Sequence, residues 1–243
     1  MGAREPRGDA GRTRAPAPRA VWAPGQRLHA SASPHAHGTA APKKSLHASE
    51  RDTERGQTAR AGYWQRIAAL DPQRLKCVDE SGVNLALTRL YGRAPRGERV
   101  IGAVPQNYGR NVTMLGALGV HGIQAVMTVE GATDTEVCRT YVRQVLGPTL
   151  VPGEIVVLDN LGVHKAVGIQ PRLARRQARV LYLPPYSPDL SPIEPCWGKV
   201  TVALRKAKAR TRDILDAAIT QALTRITPTD ARRGFRHCGY ALQ

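Results

Sequence analysis

No apolar run in this 243-residue chain approaches the roughly 20 residues that a membrane-spanning helix requires. The N-terminal residues also contain no apolar core of the kind found in secretory signal peptides. The four cysteines, Cys77, Cys138, Cys196 and Cys238, are scattered singly and form no C-x-x-C pair. These absences exclude an integral membrane protein and argue against a secreted protein, a zinc ribbon or a disulfide scaffold. We therefore expect a reduced, intracellular protein.

Acidic residues are outnumbered: 19 Asp and Glu stand against 36 Lys and Arg, which gives a net charge of +17. The excess extends into the body of the chain, because residues 71–243 contain 24 basic and 14 acidic residues, a net charge of +10. This balance favours polyanionic partners, nucleic acid before an anionic membrane. Hydrophobic residues make up 42% of the chain, which is typical of a globular protein with one full domain and a modest appendage.

The first 42 residues differ in composition from the rest of the chain. Ala, Pro, Gly and Arg supply 28 of them, and such a stretch cannot bury enough apolar surface to offset the entropy of ordering it. We predict a disordered basic tail over residues 1–42, solvated rather than laid along DNA phosphates as an arm. A polar helical linker is predicted over residues 43–70, and one folded domain over residues 71–243.

After Asp71, short β-type runs and helical spacings indicate an α/β domain, a mixed sheet with helices on its faces. Strands are predicted at 75–79, 112–118, 123–129, 154–159 and 180–183, and a further pairing segment at 84–90. Helices are predicted at 134–146, 167–177, 195–209 and 212–225. Thr133 is the predicted N-cap of the first helix, and a capping box is predicted at Thr227. If the two strongest strands are neighbours, the acids that end them, Asp79 and Asp159, lie together.

Three carboxylates are candidates for catalytic chemistry: Asp79, Asp159, and Glu194, which ends the run Ser-Pro-Asp-Leu-Ser-Pro-Ile-Glu. Clustered carboxylates are the ligands that hard cations such as Mg²⁺ demand. Two such ions about 4 Å apart can activate a nucleophile and stabilise the leaving oxygen in phosphodiester displacement. Strand-end acids are a weak signal when taken alone. Glu80 is predicted to point to the opposite face from Asp79 and to form a salt bridge rather than bind metal.

The surroundings of these acids are more specific. Asp159-Asn160, His164 five residues after the aspartate, and the Ser-Pro-Asp-x-x-Pro-Ile-Glu run that leaves 34 residues between Asp159 and Glu194 resemble the DDE transposases. Within that group the chain looks like the insertion-sequence (IS) 630 type, relatives of the mariner group, and the resemblance covers about residues 43–240. It implies an RNase H-like fold in which Asp79, Asp159 and Glu194 bind two Mg²⁺ or Mn²⁺ ions. It also implies that water attacks at the transposon end, and that the freed 3′-hydroxyl then attacks a TA target.

Other residues are candidates for supporting roles. Asn160 and His164 match family positions and would orient a ligand or contact phosphate, with a purely structural histidine as the alternative. Asp189 is predicted to cap a turn, and Trp197 to pack its helix against the sheet. The run of cations after the catalytic helix is predicted to contact the DNA backbone, with a solvated helix end as the alternative. These cations are Arg205, Lys206, Lys208, Arg210 and Arg212.

The resemblance implies double-stranded DNA as the partner, a homodimer when active, and a bacterial, nucleoid-associated location in the cytoplasm. Family members carry a helix-turn-helix region ahead of the catalytic domain, and residues 1–42 show no such motif. We therefore expect either a truncated or frame-shifted copy, or a separate helix-turn-helix product that recognises the transposon ends. The main alternative to an active transposase is a non-catalytic remnant that binds DNA or modulates the full-length enzyme. A host nuclease of the same fold is disfavoured by the motif spacing.

Overall fold

The structure, a computed structural model, describes residues 48–242 and is built around a five-stranded sheet in the order β3-β2-β1-β4-β5. The strands are β1 (Leu75–Val83), β2 (Val112–Gly119), β3 (Gly122–Glu130), β4 (Ile155–Leu158) and β5 (Arg179–Tyr182). β1 pairs antiparallel with β2 and parallel with β4. β2 and β3 form an antiparallel hairpin, and β4 and β5 are parallel. The predicted mixed sheet is confirmed, whereas the tail predicted for residues 1–42 lies outside the described residues.

Helices cover both faces of this sheet. They are α1 (Glu54–Ala68), α2 (Thr135–Thr140), α3 (Ile169–Arg175), α4 (Ile193–Ala207), α5 (Arg212–Leu223) and α6 (Pro228–His237). A π-helical turn at Tyr141–Leu146 continues α2. No helix within residues 48–242 is both long and apolar enough to span a bilayer.

Successive side chains of β1 and β4 point to opposite faces of the sheet, and this divides the core into two clusters. Cys77 of β1 and Val157 of β4 belong to a cluster with buried residues of α1, α4, α5 and α6. Their neighbours Val78 and Val156 belong to a second cluster with α2 and α3 on the other face. Because side chains alternate across a strand, every second residue of β1 and β4 faces α4.

The segment predicted to pair with β1 at residues 84–90 does not do so, and that prediction is wrong. The antiparallel partner of β1 is β2, and residues 84–111 contain no strand. The Asn84 side chain accepts a hydrogen bond from the Ala86 N–H at 3.0 Å, which forms a turn immediately after β1. The Arg210 guanidinium donates to the carbonyls of Leu85 and Leu87 at 2.8 and 2.9 Å, so a side chain rather than a strand satisfies them.

Helix boundaries differ from the predicted ones at two informative places. Asp134, rather than Thr133, caps α2, because its carboxylate accepts from the Val137 N–H at 2.8 Å. α4 begins at Ile193, two residues before the predicted start, and this places Glu194 in its first turn. The capping box at Thr227, which opens α6, is confirmed.

Trp197 packs α4 against the sheet, as predicted. Its side chain is buried, and its indole lies so close to Gly116 of β2 that a Cβ on the glycine would come within 2.9 Å of the ring. The glycine is therefore needed for a close approach between helix and strand. This contact packs α4, the helix that carries Glu194, closely against β2.

α1 contributes to the core although it precedes the predicted domain start. Tyr63 and Ile67 are buried in the same cluster as the sheet and α4. The hydroxyls of Tyr63 and Tyr240 are hydrogen-bonded at 2.6 Å, which joins α1 to the C-terminal end of the described chain. The helix predicted as a linker over residues 43–70 is therefore, where the structure describes it, packed on the sheet.

Candidate active site

Asp79 and Asp159 stand side by side where β1 and β4 run parallel. The register pairs Cys77 with Val157, and each aspartate lies two residues farther along its own strand direction. Both side chains therefore point to the face that α4 covers. The prediction that neighbouring strands bring these two acids together is confirmed.

Glu194 approaches the same place from the first turn of α4. It lines a cavity of about 380 Å³ together with Asp79, Asp159 and Asn160. The segment that connects β5 to α4 forms another part of the lining, through Pro184, Pro185, Tyr186, Ser187, Pro188 and Ser191. The three carboxylates that the resemblance assigns to the catalytic triad thus share one cavity, although they come from three different elements.

The ionised form of Asp79 is disfavoured at this cavity. Burial, followed by the nearby charge of Glu194, raises the pKa of Asp79 to about 7. Its Oδ2 atom is buried and has no hydrogen-bond partner within residues 48–242. A buried carboxylate oxygen without a partner is costly, and a cation would supply both the missing contact and the opposite charge. The site therefore fits a hard divalent cation.

His164 is buried between Asp159 and Glu80, with 1% of its surface exposed. Its Nδ1 is hydrogen-bonded to Oδ1 of Asp159, and its Nε2 lies 2.9 Å from Oε1 of Glu80. Burial opposes a charge on the ring, but the hydrogen bonds to the two carboxylates outweigh it and raise the pKa of His164 to about 10. For Asp159, burial is likewise outweighed by the hydrogen bond and charge of His164, which lower the pKa of that carboxyl. The imidazole therefore holds Asp159 in place.

Glu80 comes closer to the aspartates than the sequence indicates. One oxygen from each of Asp79, Glu80 and Asp159 can be chosen so that all three lie within 4.8 Å of one another, a spacing that could hold a metal ion. The strand continues through Glu80, however, and its Oε1 is paired with His164. The predicted salt bridge is thus confirmed, and the proximity of Glu80 to the carboxylate pair is what the sequence reasoning missed.

The sequence model of the DDE superfamily endonucleases matches residues 74–216, which is more than half of the chain and includes all three carboxylates. The chain belongs to the DDE superfamily endonucleases. No curated protein sequence matches this endonuclease. The crystal structure of the Mos1 strand transfer complex covers 83% of it at 15% identity, with a TM-score of 0.67. The Mos1 transposase catalytic domain with raltegravir and Mg covers 80% at 14% identity, with a TM-score of 0.58.

At these identities the likeness to the Mos1 structures concerns the fold. This DDE superfamily endonuclease spans 63% of the chain in the strand transfer complex and 92% of the isolated catalytic domain. It thus spans less than two thirds of the longer Mos1 chain. The predicted RNase H-like mixed sheet flanked by helices is the fold that this DDE endonuclease shares with the Mos1 catalytic domain.

The five cations predicted to contact DNA fall into two groups in this endonuclease. Arg210 donates to carbonyls in the segment after β1, and Arg212 is ion-paired with Asp216 at 2.8 Å and with Glu130 at 3.0 Å. The remaining three lie at the C-terminal end of α4, and no ion pair involves them within residues 48–242. These three are Arg205, Lys206 and Lys208.

Asp189 has a different partner from the predicted one. Instead of capping the turn that follows, its two oxygens accept hydrogen bonds from the Arg60 guanidinium at 3.0 and 2.7 Å. No sequence signal identified Arg60, because a single arginine in a polar helix forms no motif with a turn more than a hundred residues away.

Proposed function

We propose that this DDE endonuclease cuts DNA at transposon ends and transfers the freed strands into target DNA at TA dinucleotides. The observation that carries the proposal is the convergence of Asp79, Asp159 and Glu194 around one cavity. The fold likeness to Mos1 supports it, since the similar structures include a strand transfer complex and a paired-end complex with Mg. Asn160 lines the same cavity, and we propose that its amide contacts a phosphate oxygen.

We propose two divalent cations, Mg²⁺ or Mn²⁺, as cofactors held by the three carboxylates. When bound, such ions activate the attacking oxygen and stabilise the leaving oxygen of a phosphodiester. The residues of the chain supply the positions: the central strands hold Asp79 and Asp159 in register, and α4 brings Glu194 to them. The His164 ring and the Leu161 N–H both bind Oδ1 of Asp159, which leaves Oδ2 for a cation.

Double-stranded DNA is the proposed partner, in agreement with the net charge of +17. We further propose that the active form is a homodimer and that a separate helix-turn-helix product recognises the transposon ends. A nucleoid-associated location in a bacterial cytoplasm follows from the same proposal. These assignments rest on the resemblance to insertion-sequence transposases and on the basic composition of the chain.

Nicking of supercoiled DNA tests the proposed reaction directly. The substrate carries the flanks of the gene itself, and the reaction contains Mg²⁺ or Mn²⁺. We expect metal-dependent nicking that disappears in Asp159→Asn, because an amide cannot supply the charge that a hard cation requires. Gel separation of supercoiled and open-circular DNA measures the rate.

A chelator and the folded Asp159→Asn protein serve as controls for this reaction. If the folded protein does not nick, the helix-turn-helix product is added. Nicking that remains absent then contradicts the proposal and favours a remnant that only binds DNA. Nicking that survives in Asp159→Asn assigns the activity to a contaminant.

The salt dependence of DNA binding tests the role of the unpaired cations. Replacing Arg205, Lys206 and Lys208 together with alanine should reduce the slope of log K against log salt by about 0.9 for each phosphate that the variant no longer neutralises. Arg212→Ala is the matched control, because its guanidinium is already paired and its removal should change the slope less. Fluorescence anisotropy over a salt series gives the slope, and an unchanged slope in the triple variant contradicts a DNA-binding role for these cations.

A further inference from the structure

Arg60, on α1, forms a fork-shaped contact with the segment that leads into the catalytic helix. Its Nη1 donates to the Ser187 hydroxyl at 2.8 Å and to Asp189 Oδ1 at 3.0 Å, and its Nη2 donates to Asp189 Oδ2 at 2.7 Å. Arg51 adds a longer ion pair to Asp189 at 3.5 Å. A bidentate contact between arginine and carboxylate is both strong and directional, so it fixes the orientation of its partner.

Residues 184–190, the wall segment, depend on such side-chain contacts. Pro184, Pro185 and Pro188 have no N–H to donate. The backbone hydrogen bonds donated by Leu190 and Ser191 are accepted within the segment itself. At Leu190 the segment is held by its buried side chain, which belongs to the core, and by the Tyr240 hydroxyl, which donates to the Leu190 carbonyl at 2.8 Å. At Ser187 and Asp189 the described side-chain contacts from outside the segment come from Arg60 and Arg51.

The conformation of the wall segment is strained at one position. Tyr186 has a φ angle of 54°, in the left-handed region that is unfavourable for residues other than glycine. Such a conformation persists only where its surroundings impose it. The next residue is Ser187, whose hydroxyl accepts from Arg60 and donates to the Pro185 carbonyl at 3.1 Å. The arginine thus holds the chain directly beside the strained residue.

The wall segment also sets the start of α4. It lines the cavity that contains the three carboxylates, and it ends three residues before Ile193, where α4 begins. Glu194 lies in the first turn of that helix. A displacement of the segment would therefore shift both the cavity wall and the third carboxylate, while Asp79 and Asp159 would remain on the central strands.

We propose that Arg60 is a positioning residue of the active site, and that its contacts with Ser187 and Asp189 set the cavity wall and the approach of Glu194. Arg60 lies outside the residues 74–216 that match the family, so the proposal extends the catalytic unit to α1. The inference rests on the proposed function for its catalytic consequence, but the anchoring itself does not depend on activity.

Nicking kinetics test the positioning role with four variants: Arg60→Ala, Arg60→Lys, Asp189→Asn and the control Arg66→Ala. Arg66 is an exposed arginine of the same helix whose Nε donates to the Gly62 carbonyl. We expect Arg60→Ala to lower the rate at saturating DNA roughly 10- to 100-fold, as a misplacement of about 1 Å does. Lysine should restore part of the rate, the DNA dissociation constant should stay within about twofold, and Arg66→Ala should leave both unchanged.

Amide hydrogen exchange tests the anchoring without any reaction. The exchange of the Leu190 and Ser191 amides should become at least about tenfold faster in Arg60→Ala, whereas that of β4 should not change. Should Arg60→Ala fail to fold, Asp189→Asn, which keeps the size of the side chain, provides the same comparison.

The exchange and nicking results test the anchoring and the positioning role separately. Unchanged exchange overturns the anchoring, and faster exchange with an unchanged nicking rate overturns the positioning role. An equal loss of rate in Arg66→Ala also overturns it. If the unaltered protein does not nick even with the helix-turn-helix product added, the proposed function fails, and exchange alone confirms or overturns the anchor.

Discussion

Glu194→Gln is expected to lower the rate of metal-dependent DNA nicking at least about 1000-fold, a loss of about 4 kcal/mol of transition-state stabilisation. Glu80→Gln is expected to lower the rate only about 10- to 100-fold, as the loss of a residue that supports a metal ligand does. Glu80 and Glu194 are the two candidates for the third metal ligand beside Asp79 and Asp159. Glu80 forms the compact cluster with both aspartates, but its Oε1 is paired with His164.

Two observations favour Glu194 as the third ligand. It lines the same cavity as both aspartates, and its charge is the second largest cause of the raised pKa of Asp79. Glu80 belongs to the opposite face of β1, where its carboxylate pairs with the buried imidazole. Loss of Glu80 would therefore loosen the support of Asp159 without removing a ligand.

Initial nicking rates and Mn²⁺ affinity by calorimetry measure the two variants side by side. Both substitutions are isosteric, so each is the control for the other, and circular dichroism verifies that both proteins are folded. A large loss of rate in Glu80→Gln combined with a small loss in Glu194→Gln would reverse the assignment and place Glu80 in the metal site.

Glu154→Ala is expected to destabilise the domain by about 3–5 kcal/mol, because it leaves the buried ammonium of Lys76 without its counter-charge. The Nζ of Lys76 lies 3.2 Å from Oε2 of Glu154 and donates to the Thr149 carbonyl at 2.7 Å. Only 7% of the Lys76 side chain and 12% of the Glu154 side chain are exposed. The pair joins the start of β1 to the loop before β4, on the strands that carry both aspartates.

Lys76→Met is the matched variant, since it replaces the buried charge with an apolar side chain of similar length. We expect it to change the free energy of unfolding far less than Glu154→Ala does, because no charge is left uncompensated. Urea unfolding followed by circular dichroism gives both values. Equal losses in the two variants would show that packing, rather than the uncompensated charge, accounts for the effect.

Local sequence patterns predicted most of the helices and strands, because each pattern depends on the surroundings of one helix or strand only. The continuous apolar and β-branched run around Val157 indicates a buried strand, and the Thr227 capping box marks a helix start within four residues. The strand pairing predicted for residues 84–90 is wrong because pairing depends on residues outside that segment. Apolar residues there resemble a strand, but the choice of β2 as the partner of β1 depends on contacts that no local window contains.

The candidate carboxylates of the site could likewise be identified from the sequence. Asp159 and Glu194 stand in short motifs at a characteristic spacing, whereas Asp79 is the acid that ends a predicted strand and gains its role from the resemblance. Their parallel register, which sets the two aspartates level, needed only the assumption that β1 and β4 are neighbours. The sequence did not predict the contacts that hold these carboxylates in position, namely the Glu80–His164–Asp159 hydrogen bonds and the contacts of Arg60 with Ser187 and Asp189.

These contacts depend on distances through space between residues far apart in sequence. Arg60 and Asp189 are separated by 129 positions, and Glu80 and His164 by 84. A lone charged residue on a helix or strand has the same local pattern whether it faces solvent or a distant carboxylate. The linear chain therefore specifies which carboxylates are candidates for the chemistry and which elements hold them, because motif and periodicity are local. Packing of the sheet against α1 and α4 selects the partners that hold those carboxylates in position, because burial and hydrogen-bond geometry arise only in the folded chain.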